Sequence, residues 1–206
     1  MSRRPRLVVA TGNPGKLREI CAILSGLDVE WRTLRDFAGV RLPEEGDDYA
    51  DNALAKARVA ARSTGCVAIA DDSGLEVEGL GGAPGPHSAR YGGAGLDDAG
   101  RVRHLLAELG PEPGERRRAR FVCVAAVVTP EGDAATARGE CPGRILAAPR
   151  GRGGFGYDPI FESVELNAPM AELAETDKNR ISHRGRALAA LRPALEARLR
   201  RKADSR

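Results

Sequence analysis

RLVVATGNPGKLREICAIL, residues Arg6 to Leu24, changes its period partway along. Arg6–Ala10 reads as a short apolar strand, and Gly12-Asn13-Pro14-Gly15 breaks it. KLREICAIL then restarts with Leu17, Ile20, Ile23 and Leu24 on one helical face. A strand, a glycine turn and a helix are the opening unit of an α/β fold.

The alternation continues outward from there. Tyr49–Ser63 reads as an alanine-rich helix after an acidic loop, and Cys66–Ala70 as a second strand ended by Asp71 and Asp72. Leu80–Gly95 is rich in glycine and proline and reads as a long loop; Ala99–Leu109 reads as a helix. RFVCVAAVVT and DAATARGEC are two strands around Pro130-Glu131-Gly132, a hairpin signal. Pro149–Pro159 is another glycine-rich loop, with a short strand at Ile160-Phe161 behind it. Beyond Ala171 come helices, where Leu188, Leu191, Leu195 and Leu199 keep helical spacing and Pro193 kinks or divides the pattern. The expectation is one α/β domain over residues 1–206, with a mixed central sheet and flanking helices.

Composition narrows the function classes. No apolar run reaches membrane-spanning length, and the segment after the first arginines is too short for a signal peptide. A cytoplasmic protein without a membrane partner is expected. Cys21, Cys66, Cys123 and Cys141 lie far apart, which argues against a zinc site or a disulfide framework. RRRAR at 116–120 and the basic tail raise a nucleic-acid-binding reading, but no nucleic-acid motif accompanies them. Of 32 Lys and Arg residues only Lys16, Lys56, Lys178 and Lys202 are lysines, and the first three sit inside the motifs below. Lysine is a compact point charge that suits a phosphate oxygen.

Five stretches carry possible chemistry. TGNPGK, Thr11 to Lys16, puts backbone amides and a cation at a helix start, where phosphate is favoured. It is neither a Walker A loop nor a dinucleotide fingerprint. PEEGDDYADNALAKA, Pro43 to Ala57, places Asn52 and Lys56 on one helix face behind an acidic loop. ADDSGL brings carboxylates to a strand end, where α/β sheets bind ligands and magnesium finds oxygen donors. Asp71 reads as support for the turn toward Gly74 or as support for the site. GGFGYDPIF, Gly153 to Phe161, spends scarce aromatics in a loop, where a flat ring can stack on a base. DKNRISHRGRAL, Asp177 to Leu188, adds Lys178, Ser182, His183 and Arg184 at a helix start.

With ADDSGLEVEGLGGAPGPHSARYGG, EEGDDYADNALAKA and ISHRGRAL, these segments resemble the inosine/xanthosine triphosphate pyrophosphatase family, in the family's order. The resemblance implies magnesium-dependent hydrolysis of dITP, ITP and XTP to monophosphate and pyrophosphate. It also implies a homodimer and two lobes around a substrate cleft. Carried onto this chain, Thr11, Gly12, Asn13, Pro14, Gly15 and Lys16 would bind the triphosphate, with Lys56 nearby. Glu44 and Asp72 would hold magnesium, Asp72 would also accept the proton of the attacking water, and Ser73 would touch substrate. Phe155, Gly156, Tyr157, Asp158, Lys178, His183 and Arg184 would frame and read the base. A hydrolase of modified pyrimidine triphosphates is the neighbouring alternative.

Overall fold

The structure is a computed structural model that describes residues 4–93, 95–111 and 114–204, with side chains to Arg201. The Lys202 side chain, the last two residues of the basic tail and Ala94 of the long loop lie outside the described residues. The elements are β1 (Arg6–Val9), α1 (Pro14–Ile23), β2 (Glu30–Thr33), α2 (Tyr49–Thr64), β3 (Val67–Val77), β4 (Pro84–Gly85) and α3 (Asp98–Leu109). They continue with β5 (Arg118–Val128), β6 (Ala134–Ile145), β7 (Phe161–Ser163), β8 (Ala168–Pro169), α4 (Glu175–Ile181) and α5 (His183–Asp204). The sheet order is β2-β1-β3-β5-β6-β7-β8, with β4 also on β3. β1 runs parallel to β2 and β3; β3/β4, β6/β7 and β7/β8 are antiparallel. The expected mixed α/β fold is found.

The chain forms two compact units interleaved in sequence. Unit 1 takes residues 1–72, 123–139 and 184–206; unit 2 takes 73–122 and 140–183. In unit 1 the helical stripe Ile20 and Leu24, the β1 residues Leu7 and Val9, and the β3 residues Val67 and Ile69 share a core with Leu188, Leu191 and Leu195. In unit 2 Leu75 and Val77 pack with Val102, Leu105, Phe121, Ile145, Ile160 and Phe161.

Three local expectations are corrected. β3 does not end at the aspartates; it runs on through Ser73 to Val77, where Leu75 and Val77 are buried in a core of their own. Asp71 therefore supports no turn at Gly74. β2 was absent from the sequence reading, since EWRT lacks an apolar alternation, yet its backbone pairs residue for residue with β1. Pro193 neither divides nor ends α5, where buried leucines on both sides hold the helix through it.

Candidate active site

In unit 1 the site starts from the turn between β1 and α1. Asn13 is the helix N-cap, and its side-chain oxygen accepts the Gly15 and Lys16 amides at 2.8 and 3.1 Å. The Asn13 amide donates to Thr11 Oγ1 at 3.1 Å. Two of the amides expected to face phosphate are thus occupied by the loop's own cap. Gly12, Asn13 and Pro14 are exposed, Thr11 and Lys16 half-buried and Gly15 buried. Lys16 is the charged group at this helix start, and its ammonium lies 3.3 Å from Asp71 Oδ2.

Asp71 and Asp72 are successive residues of β3, so their side chains leave opposite faces of the strand. They belong to different clusters. Asp72 Oδ2 accepts Asn52 Nδ2 at 2.9 Å, and Asp72 Oδ1 accepts Lys56 Nζ at 3.0 Å. Asn52 and Lys56 stand one turn apart on α2, as their spacing requires. Asn52 is itself locked by two hydrogen bonds to the Gly46 backbone, at 2.7 and 3.0 Å. Lys56 also donates to Glu45 Oε1 at 2.5 Å. A lysine only 5% exposed, shared by two carboxylates, is arranged rather than incidental.

Burial pushes the Asp72 carboxyl above its ordinary value, and Glu45 adds to this; Lys56, Lys16 and the Asn52 hydrogen bond oppose it without cancelling it. Glu45 shifts the other way. Burial would raise it, but the Lys56 hydrogen bond and charge bring it down. Lys56 would lose its proton more readily through burial alone, but Asp72, Asp71 and Glu45 keep it charged.

Asp71 is wholly buried. Arg184 Nε and Nη2 reach its Oδ2 at 3.1 and 3.0 Å, and Arg184 Nη1 pairs with Glu19. Burial would raise the Asp71 carboxyl, but Lys16, Arg184 and Lys56 hold it well below the usual carboxylate range. Arg184, expected at the base, is instead 1% exposed and held by two acids. A guanidinium enclosed in this way satisfies carboxylates before it can read a ligand.

Magnesium commonly takes one or two carboxylates and fills its shell with water and substrate phosphate. Among the described residues no group of three or more His, Cys, Asp or Glu side chains forms a metal cage. Asp72 and Glu45 offer carboxylate oxygens, which are of the right kind. Hard oxygen donors fit such an ion. Glu44, the expected ligand, is exposed, while its neighbour Glu45 turns inward to Lys56.

In unit 2 the GGFGYDPIF loop closes on its own aspartate. Asp158 Oδ2 accepts the Phe155 amide at 2.8 Å and Lys178 Nζ at 2.5 Å. The Lys178 ammonium also sits 5.1 Å from the centre of the Phe155 ring, a cation–π contact. Asp98, at the start of α3, accepts the Gly156 amide at 2.8 Å. His183 stacks on Phe121, with ring centres 4.7 Å apart and planes 14° from parallel. Phe155, Asp158 and Lys178 are thus brought together as expected. Tyr157 is not part of their face: its ring lies in the core and its hydroxyl donates to the Ser88 carbonyl at 3.0 Å. Ser73, half-buried, opens this unit.

Sequence reasoning missed Glu19, Glu45 and Asp98. Glu19 did leave a signal, an acid among the apolar positions of α1 and three residues past Lys16. Asp98 left none beyond a common helix start.

A model of the Ham1 family matches residues 7–194. The dITP/XTP pyrophosphatase of Geobacter sulfurreducens is 52% identical over 188 residues, covering 91% of this chain and 94% of that protein. Its namesake from Thermus thermophilus is 50% identical over 192 residues, covering 93% and 92%. Among solved structures, a HAM1 protein from Coxiella burnetii superposes with a TM-score of 0.83 at 39% identity, covering 94% of this chain and 99% of that one. The nucleoside-triphosphatase / dITP/XTP pyrophosphatase of Mycobacterium abscessus gives 0.72 at 45% identity, covering 90% and 98%.

Proposed function

The chain belongs to the Ham1 family, and we propose that it hydrolyses the non-standard purine triphosphates dITP, ITP and XTP to the monophosphate and pyrophosphate. The observation that carries this reading is Asp72, buried and held by Asn52 and Lys56 with its carboxyl raised above the ordinary value. A carboxylate so placed accepts the proton of an attacking water, and an upward shift makes it the better base.

Phosphoryl transfer asks for charge neutralisation and an oriented nucleophile more than for covalent chemistry. Lys16 supplies a positive charge beside the exposed turn at Gly12 to Pro14. Asn52 and Lys56 fix the Asp72 carboxylate so that it meets the water in one orientation. Asp72 and Glu45 are the residues that would hold magnesium. The ion, when bound, neutralises phosphate oxygens and lowers the barrier to attack.

In unit 2, Phe155 offers a ring face for the purine, while Lys178 and His183 offer donors to its 6-oxo edge. An adenine 6-amino group would meet those donors with donors of its own, and each hydrogen bond so lost costs about 1–3 kcal/mol. This supports selectivity against ATP. We extend the proposal to one catalytic domain over the whole chain, working as a homodimer, which the family resemblance supports. The four free cysteines support a reducing compartment, the cytoplasm.

Asp72→Asn tests the core of the reading. It keeps the Asn52 contact and the shape, so circular dichroism should match the parent while dITP turnover falls by about a thousandfold or more, the scale of a lost general base together with a metal ligand. Near-normal turnover would remove Asp72 from the mechanism.

A further inference from the structure

Asp71 has no part in the chemistry above, yet it is the more deeply enclosed of the two aspartates. Three cationic nitrogens converge on its single oxygen Oδ2: Arg184 Nε at 3.1 Å, Arg184 Nη2 at 3.0 Å and Lys16 Nζ at 3.3 Å. Glu19 takes the remaining arm of Arg184. The cluster of Lys16, Arg184, Asp71 and Glu19 sums to zero charge, which is how a buried ionic group is tolerated.

The contact with Lys16 differs in kind from the others. Arg184 hydrogen-bonds Asp71 through a rigid fork, which fixes the carboxylate. Lys16 meets the same oxygen as an ion pair without a hydrogen bond. Asp71 thus orients the ammonium without using its N–H donors. Lys56 is the contrast, because its donors are committed to Asp72 and Glu45. A free lysine stem carries rotamer entropy, which a ligand must remove unless the protein has already done so.

We propose that Asp71 is a positioning residue that holds Lys16, through a carboxylate fixed by Arg184 and Glu19, in the place where it meets the substrate's phosphates. This deepens the functional reading above and rests on it for the identity of the ligand. Removal of the Asp71 charge frees Lys16 and weakens phosphate binding, and the loss runs through Lys16.

Two measurements test it. The chain has only four lysines, so lysine-labelled protein gives few side-chain NMR signals, and a Lys16→Arg variant identifies the one from Lys16. Asp71→Asn is expected to displace that signal and leave that of Lys178, whose carboxylate partner is Asp158, nearly in place. In a double-mutant cycle, Asp71→Asn should raise KM for dITP at least about threefold in the parent and leave KM unchanged in a Lys16→Met background. An unmoved Lys16 signal, or KM effects that multiply independently, would overturn the proposal. Should Asp71→Asn not fold, Glu19→Gln is read at the same signal. With one of its carboxylate partners neutralised, Arg184 is pulled more strongly to Asp71, so the Lys16 signal shifts if the chain of contacts is real, and a fixed signal refutes it. The NMR arm needs no substrate. Absence of turnover by the parent protein would count against the function, and the signal alone would then decide the Asp71–Lys16 link.

Discussion

Adjacent carboxylates can serve different ends when strand alternation sends them to opposite faces. Asp72 faces Asn52 and Lys56 on α2; Asp71 faces Lys16 and Arg184. Glu44 and Glu45, adjacent in the loop before α2, also differ, and only the second reaches Lys56. Glu45→Gln should therefore raise the magnesium concentration for half-maximal activity by about tenfold or more, the usual cost of disturbing groups around a metal. Glu44→Gln should stay within about twofold of the parent, as surface changes do. The reverse order in a magnesium titration would restore Glu44 as the ligand. The sequence made Asp72 legible because a pair of carboxylates follows an apolar strand, and the family resemblance singled out the second of them. It could not reveal the partner of Asp71, because Arg184 lies 113 residues away along the chain. Nor could spacing show that Asn13 caps its own helix and occupies two of the amides counted as phosphate donors.

Elements were read best where packing repeats. The period of α1 and the alanine face of α2 were visible, because burial of one stripe dictates residue type at every turn. β2 was not, because backbone pairing and ion pairing hold it rather than an apolar pattern. The far half of β3 was hidden behind Asp71, Asp72 and Gly74, with only Leu75 and Val77 left to mark it. The loop that carries Phe155 is set by backbone conformation. Gly154 has φ +72°, and a Cβ there would run into the Asp158 carboxylate that holds Phe155 and Lys178. Gly156 has φ +62° but open space around its Cβ position. Gly154→Ala should thus raise KM for dITP far more than Gly156→Ala, whose cost is the left-handed backbone alone, about 1 kcal/mol. Equal effects in steady-state kinetics would mean that Asp158 does not anchor the loop.

At the scale of the molecule, the two units are separate cores drawn from one interleaved chain. The chain passes between them at 72/73, 122/123, 139/140 and 183/184, and three of these points fall inside β3, β5 and β6. Strands shared in this way tie the folding of one core to that of the other. Leu195→Ala in unit 1 and Phe161→Ala in unit 2 should each cost about 2–5 kcal/mol. Scanning calorimetry should show both lowering one common transition. Two transitions, each moved by its own substitution, would mean two independent domains. None of the described helices is long and apolar enough to cross a membrane.

The central claim is a pyrophosphatase selective for 6-oxo purines, with chemistry at Asp72. Its most direct test is release of pyrophosphate from dITP, XTP, ATP and dTTP with magnesium, and again after chelation. We expect pyrophosphate and monophosphate from dITP and XTP, with kcat/KM at least about tenfold above that for ATP, the equivalent of one unpaired donor. Chelation should abolish turnover. Equal turnover of ATP, or orthophosphate as the first product, would contradict the account.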